Sequence, residues 1–329
     1  MSDFWKDEVE IDLKLQQVKS LILSSIKQSN PFIRELLMDR VTSGGKMIRP
    51  ALVIIGSKLG EKDRENEVLR LASVLEMIHI ASLIHDDIID GSNTRRGIPT
   101  LNSMVGPKKA VIAGDYLLSR AMSLIKGKEG DLESSVITNA FTRLCESELI
   151  QDAEVGNFLI SSSTYLRRIG GKTASLFALS AYSGAAVTLG EKYQQHLLHR
   201  IGYCLGIAFQ IKDDILDYTG DSNKLGKDIG QDVRMGIPTY PLIAALKIES
   251  NNNFENRDLF ELVKNKKLLS KKESKKVVDL TISLGGVKKA EELAQTYINR
   301  ALFDIEKLNN KEVQSLLVSL FTKLSSRKI

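Results

Sequence analysis

An all-α fold is predicted for this chain on three observations. Apolar residues recur at helical spacing through nearly every segment. No useful length of sequence alternates apolar and polar as a half-buried strand does. The helix breakers, including the six prolines, cluster at short interruptions: Asn30-Pro31, Ser43-Gly44-Gly45, 60–63, 91–100, Gly106-Pro107, 127–131, Gly170-Gly171, Gly190, 220–236 and 250–256. No linker-like stretch divides the 329 residues, so 1–329 reads as a single domain.

In chain order, the opening MSDFWKDEVEIDLK is acidic and lacks the apolar core of a signal peptide. Next comes GGKMIRP (44–50), a glycine pair running into a helix. The run LASVLEMIHIASLIHDDIID (71–90) is an apolar helix ending in acids, followed by the polar loop GSNTRRGIPT (91–100). Thr173–Gly190 carries no charge and approaches the length of a membrane span. Its Ser, Gly, Ala and Thr content favours a closely packed buried helix. FQIKDDILD (209–217) echoes the first acidic run, and NKKLLSKKESKK (265–276) reads as a solvated face.

A net charge of +5 with no basic stretch interleaved by aromatics argues against nucleic acid. It suits acidic small ligands. Two cysteines in helical stretches give no disulfide framework and point to a reducing, cytoplasmic compartment.

The acids carry the chemistry. Asp86 and Asp90, four apart, project from one side of a helix, and Asp213 and Asp217 repeat the spacing. His79, Ser82, Asp86 and Asp90 form one polar stripe; Gln210, Asp213, Asp214 and Asp217 form another. Like charges at this spacing repel, at roughly 0.2–0.5 kcal/mol per pair, and carboxylates among apolar neighbours need compensation. Two such stripes are expected to face each other around a cation. Hard oxygen donors without cysteine suit Mg²⁺, which completes its coordination with water and phosphate. Two unrelated surface clusters are the plainer alternative.

Basic residues at the breaks suggest the phosphate. Lys46 and Arg49 follow a glycine pair at a helix start, a favourable place for an anion. Arg95 and Arg96 follow the first acidic run, Lys172 lies in GGKT, and Lys227 follows the second run. GGKT lacks P-loop spacing. Singly, each basic residue also reads as a solvated charge, and His79 as a core histidine.

Taken together, GGKMIRP, HIASLIHDDIIDGSNTRRGIPT, GDYLLSRA, GGKTASLF, FQIKDDILDYTGD and GKDIGQD resemble the polyprenyl synthetase family of trans-isoprenyl diphosphate synthases, in family order and over nearly the whole chain. The resemblance implies a single-domain helical bundle around a deep central cavity. It implies head-to-tail condensation of an allylic diphosphate, with farnesyl diphosphate the expected primer, and isopentenyl diphosphate. Three Mg²⁺ ions would join the allylic diphosphate to Asp86, Asp90 and Asp213, with Asp87, Asp214 and Asp217 holding waters and supporting contacts. Lys172 and Lys227 would stabilise the departing diphosphate, and Arg95 would hold the allylic substrate. Lys46, Arg49, His79 and Arg96 would hold the diphosphate of isopentenyl diphosphate. Thr173 and Gln210 would orient the allylic group and stabilise the carbocation. The released diphosphate is the expected base. Met47, Ile48 and Ile98 depart from residues common in the family without removing a named ligand.

In the resemblance, bulky aromatics four and five positions before the first aspartate stop growth early. Here those positions are the small Ser82 and Ala81. The resemblance implies an all-trans product of medium to long length, about six to eight isoprene units, suited to quinone side chains. Ile78, Leu75 or the 140–155 helix would form the floor. A short-chain farnesyl or geranylgeranyl synthase is the alternative; a terpene cyclase fits poorly, because DDILD and GGKMIRP are both present. The resemblance also implies a homodimer, or a heterodimer with a small non-catalytic subunit without which this chain is inactive, and transient membrane contact for product release.

Overall fold

The computed structural model describes residues 4–27, 29–42, 45–95, 97–125, 134–220, 229–251 and 257–325. They are helical apart from one short hairpin, as the periodicity predicts. The helices are α1 (Val9–Lys27), α2 (Pro31–Thr42), α3 (Ile48–Ser57), α4 (Glu65–Ile89), α5 (Leu101–Val105), α6 (Pro107–Leu124), α7 (Ser134–Ala153), α8 (Ser162–Ile169), α9 (Ser175–Val187), α10 (Lys192–Thr219), α11 (Gln231–Arg234), α12 (Tyr240–Asn251), α13 (Asp258–Val263), α14 (Lys271–Ser283), α15 (Gly286–Ile305) and α16 (Lys311–Ser325). The chain forms two compact units: Met1–Ile137 with Leu179–Gly202 and Ile305–Lys323, and Thr138–Ala178 with Tyr203–Asp304 and Leu324–Ile329.

In the first unit α4 packs against α1, α3 and α6. Its middle, Leu71–Ile78, is buried without a break, which explains why this helix is apolar on every side. With the short turn before it, Lys62–Ile89 is long and apolar enough to cross a membrane, but 67% of its apolar window is buried by the protein itself. The uncharged stretch after Thr173 becomes α9, a buried helix as expected. A Cβ on Gly56 would lie 2.5 Å from the Ala181 carbonyl, and one on Gly184 would lie 2.0 Å from the Val53 carbonyl. Small residues there let α3 and the end of α9 touch backbone to backbone.

The loop after the first acidic run holds a two-residue antiparallel ladder, Thr94–Arg95 on Ile98–Pro99. It is too short to leave an alternating pattern. Gly97, at φ 76°, supplies the left-handed turn. At the amino end, buried Trp5 donates its Nε1–H to the Lys46 carbonyl at 2.6 Å. That acidic opening is therefore part of the packed unit.

In the second unit the expected break at Gly170-Gly171 does not occur. The chain leaves α8, passes through a π-helical turn at Gly170–Ala174 and enters α9. A Cβ on Gly171 would fall 1.7 Å from Ser147 Oγ, and one on Gly170 2.7 Å from Tyr203 Oη. The glycines admit close neighbours rather than end a helix, and the wider turn is a π-bulge of the kind often found at functional sites. One core cluster of this unit joins Tyr165, Ile169, Ile207, Ile211 and Ile215. Another joins Phe158, Tyr218, Leu242, Leu259 and Val277.

Candidate active site

The first acidic run occupies the end of α4. Asp86 is half-buried, Asp87 is 6% exposed, and Asp90 caps the helix in the open. Asp87 accepts from Arg95 Nε at 2.8 Å, an ion pair that ties the hairpin back to the helix. Its carbonyl accepts from Ser92 N, and Thr100 Oγ1 closes the loop on the Ser92 carbonyl at 2.7 Å. Asp87 therefore holds Arg95 directly, a contact of the supporting kind expected of it, and Arg95 is engaged by a carboxylate.

One turn below Asp86, Ser82 is half-buried and bonds back to the His79 carbonyl; Ala81 and Ile78 are fully buried. Glu76, also buried, lies on the same stripe as His79. It faces Arg49 electrostatically: burial pulls the Arg49 guanidinium down to about 10, and the charge of Glu76 acts against that fall. Sequence reading missed Glu76, although an acid inside the run LASVLEMIHIAS was a signal. Arg49 lies in the first turn of α3. Just before it, Met47 adopts the left-handed region at φ 46°, which costs a non-glycine residue roughly 1–2 kcal/mol. Lys46 lies 4.7 Å from the centre of the Phe4 ring.

Further down α4, Glu67, Arg70, Leu71 and Val74 line a recess completed by Leu124, Ile125, Ile137 and Val187. At ~100° per residue, Leu71 lies about 60° and Val74 about 120° around α4 from Asp86, so the recess is deeper than Asp86 and to one side of its face. Val74 is ~18 Å from Asp86 along the helix.

The second acidic run ends α10, in the other unit. Asp213 is half-buried. Asp214, 4% exposed, accepts from Tyr165 Oη at 2.6 Å and from Gln210 Nε2 at 2.9 Å. Gln210 Oε1 accepts from the Thr173 hydroxyl at 2.8 Å. Burial and the charge of Asp232 push the Asp214 carboxyl up to about 7, against its hydrogen bonds from Tyr165 and Gln210. Asp217 accepts from the backbone N–H groups of Gln231 and Asp232, both at 3.1 Å, and so anchors the start of α11. Lys172, on the π-turn, pairs with Glu148 at 2.8 Å. Tyr165 and Glu148 also escaped the sequence reading: a tyrosine eight residues before Thr173 and an acid on α7 carry no spacing signal. Arg96 and Lys227 lie outside the described residues, as does Gly44.

The donor set fits Mg²⁺. Asp86 and Asp90, and Asp213 and Asp217, sit in the last two turns of their helices, where the helix end is partly negative and a carboxylate is unfavourable without a cation. All offered ligands are hard oxygens. Among the described residues no three His, Cys, Asp or Glu side chains form a ready-made metal cage.

The family model described as polyprenyl synthetase matches residues 30–281. The all-trans-nonaprenyl-diphosphate synthase (geranyl-diphosphate specific) of Rhodobacter capsulatus is 34% identical over 97% of this chain and 99% of its own. Heptaprenyl diphosphate synthase component 2 of Bacillus subtilis is 28% identical over 99% of this chain and 89% of its own. Among solved structures, a geranylgeranyl pyrophosphate synthase from Lactobacillus brevis superposes with a TM-score of 0.88 at 32% identity, covering 99% of both chains.

Proposed function

The chain belongs to the polyprenyl synthetase family, and from that premise we propose that this trans-prenyltransferase builds a medium to long all-trans polyprenyl diphosphate. The observation that carries the length is the small Ala81 and Ser82 below Asp86, with a recess at Leu71 and Val74 deeper along α4. Product growing away from Asp86 meets no bulky side chain at Ser82. Buried Ile78 is the next side chain down α4, and the recess, lined by Glu67 and Arg70 as well as by apolar side chains, lies one turn further. About six to eight units is the length that the resemblance to the family implies, suited to a quinone side chain.

In this reading Asp86, Asp90 and Asp213 hold three Mg²⁺ ions with the allylic diphosphate, whose primer is farnesyl diphosphate. Bound magnesium supplies the positive charge that holds the diphosphate and favours its departure. Lys172, now on Glu148, transfers its contact to the departing diphosphate, aided by Lys227. Arg95 adds a contact to the same substrate. Lys46, Arg49, His79 and Arg96 bind the diphosphate of isopentenyl diphosphate, with Glu76 holding the Arg49 charge in place. Thr173 and Gln210 present oxygen dipoles to the allylic cation. The released diphosphate removes the final proton.

The family match draws on both compact units, and they act as one domain. The enzyme works in the cytoplasm as a homodimer. A small partner subunit, as the component naming of the Bacillus relative suggests for that protein, is the second reading, and transient membrane contact serves product release. The test is product analysis by thin-layer chromatography with the purified chain, farnesyl diphosphate, isopentenyl diphosphate and Mg²⁺. Wild type should give about six to eight units, and Ser82→Phe or Ala81→Phe about three or four, by the helix depth removed. Wild type stopping at four units, or phenylalanine variants keeping full length, overturns the length assignment. Activity appearing only after a partner is added favours the second reading.

A further inference from the structure

The second unit carries a relay of hydrogen bonds whose direction is set at its buried end. Tyr165 is fully buried in the isoleucine-rich cluster. Its ring lies 5.6 Å from that of Tyr240, and the Arg168 guanidinium lies 5.7 Å from its centre. Packing thus fixes where its hydroxyl points. That hydroxyl donates to Asp214 Oδ2, and Asp214 Oδ1 accepts from Gln210 Nε2.

In this network Asp214 accepts from both partners and donates to neither. With Asp214 as acceptor, the Gln210 amide must turn its NH₂ end inward. Its oxygen is then left for Thr173, whose hydroxyl proton is drawn into the bond at 2.8 Å. Thr173 consequently shows lone pairs, not a proton, on its remaining side. A cation is stabilised by lone pairs and repelled by an O–H hydrogen. Were the Gln210 amide reversed, its NH₂ would donate to Thr173, and the threonine proton would be free to point at the cation.

We infer that Tyr165 is a positioning residue for prenyl transfer: by holding Asp214 Oδ2 it keeps Oδ1 on Gln210 Nε2, which fixes the amide orientation of Gln210 and, through it, the polarity that Thr173 presents to the allylic cation. The inference rests on the prenyl-transfer reading and adds a residue to it. Tyr165 touches no substrate in this assignment.

The test uses Tyr165→Phe, which removes only the hydroxyl, and Asp214→Asn. An asparagine that accepts from Tyr165 must aim its own NH₂ at Gln210, so it should reverse the glutamine. Single-turnover rates are measured in both variants, in Gln210→Ala and in the double variant Tyr165→Phe/Gln210→Ala, with KM values in parallel. Exchange of the Gln210 side-chain amide protons is followed by NMR. We expect each of Tyr165→Phe and Asp214→Asn to slow the chemical step about tenfold, as for loss of an oriented dipole, with both KM values within about twofold. The Gln210 amide protons should lose protection. Tyr165→Phe should cost nothing further once Gln210 is alanine, because residues acting as a unit are not additive.

A rate within about twofold of wild type in Tyr165→Phe, or a loss that adds fully to that of Gln210→Ala, overturns the inference. So does unchanged Gln210 amide protection, which is read without catalysis and remains decisive if Tyr165→Phe folds poorly, through Asp214→Asn. Wild type failing to make any prenyl product would overturn the catalytic reading instead.

Discussion

HDDIID on α4 and KDDILD on α10 share letters and spacing, yet their middle aspartates are buried by different means. Asp87 meets a full positive charge, the guanidinium of Arg95, delivered by a hairpin that follows the helix. Asp214 meets a tyrosine hydroxyl and an amide, and no cation bonds to it in this network; Arg168 acts on it only through charge at longer range. The third aspartates diverge too. Asp90 stands exposed at the end of α4, whereas Asp217 is occupied by two backbone N–H groups of α11. One pattern in sequence thus serves as an ion pair plus an open carboxylate in one unit. In the other it is a network of tyrosine and amide donors plus a structural anchor. Only the first aspartates, Asp86 and Asp213, are alike in being half-buried.

The largest expected effect therefore tests the similarity. Asp86→Ala and Asp213→Ala should each lower turnover by at least three powers of ten. Loss of a single electrostatic contact alone typically costs about 10²–10³, and in the proposed reading each of these residues holds metal and, through it, the diphosphate. EDTA should abolish wild-type activity. Steady-state turnover at saturating Mg²⁺ is the measurement. Near-normal activity in either variant would break the equivalence and leave one unit without a metal role.

A smaller effect tests the difference. The Asp214 carboxyl is raised from 3.8 to about 7 in the fold, so between those values the native state holds a proton that the unfolded chain has released. Unfolding free energy then falls as pH rises, because the native state binds more protons. This contribution is whole below about pH 4 and is lost as pH passes 7, amounting to at most about 4 kcal/mol. Urea unfolding of the metal-free protein at pH 5 and pH 8 measures it. Asp214→Asn should remove most of that slope. Equal slopes in wild type and Asp214→Asn would show that the buried carboxyl is ionised throughout.

The fold and the acids were legible because both are periodic. Helical spacing marks α4 and α10 along their whole length, and aspartates four apart must share a helix face whatever surrounds them. What surrounds them was not legible. Tyr165 and Asp214 lie 49 positions apart in numbering, and nothing in the order of residues says that a tyrosine on α8 reaches an aspartate on α10. Gly170-Gly171 misled for a related reason. Glycine ends helices and also admits close neighbours, and only the positions of Ser147 and Tyr203 decide between the two. Glu76 was different: an acid in an apolar run was visible, but its partner Arg49 belongs to another helix.

The smallest effect separates the third aspartates, and stability is the place to read it. Asp90 has an exposed side chain at a helix carboxyl end, where the partial negative charge of the backbone opposes it. Replacing it by alanine should change unfolding free energy by no more than about 0.5 kcal/mol, with a gain the favoured direction. Asp217 instead satisfies the Gln231 and Asp232 N–H groups at the start of α11, and its carbonyl takes a third bond, from Gly230 N, at 2.8 Å. Asp217→Ala removes the first two bonds, a loss comparable to that of a helix cap and worth about 0.5–2 kcal/mol. The carbonyl bond survives, so the segment should loosen rather than detach. Activity should move the other way, since Asp90 is assigned to the metal and Asp217 to the chain. Urea midpoints and turnover measured on the same two variants give four numbers. The contrast holds only if Asp90→Ala is the less active and Asp217→Ala the less stable. If both variants lose activity alike at unchanged stability, Asp217 is a metal ligand in its own right and its contacts to α11 must open when the site fills.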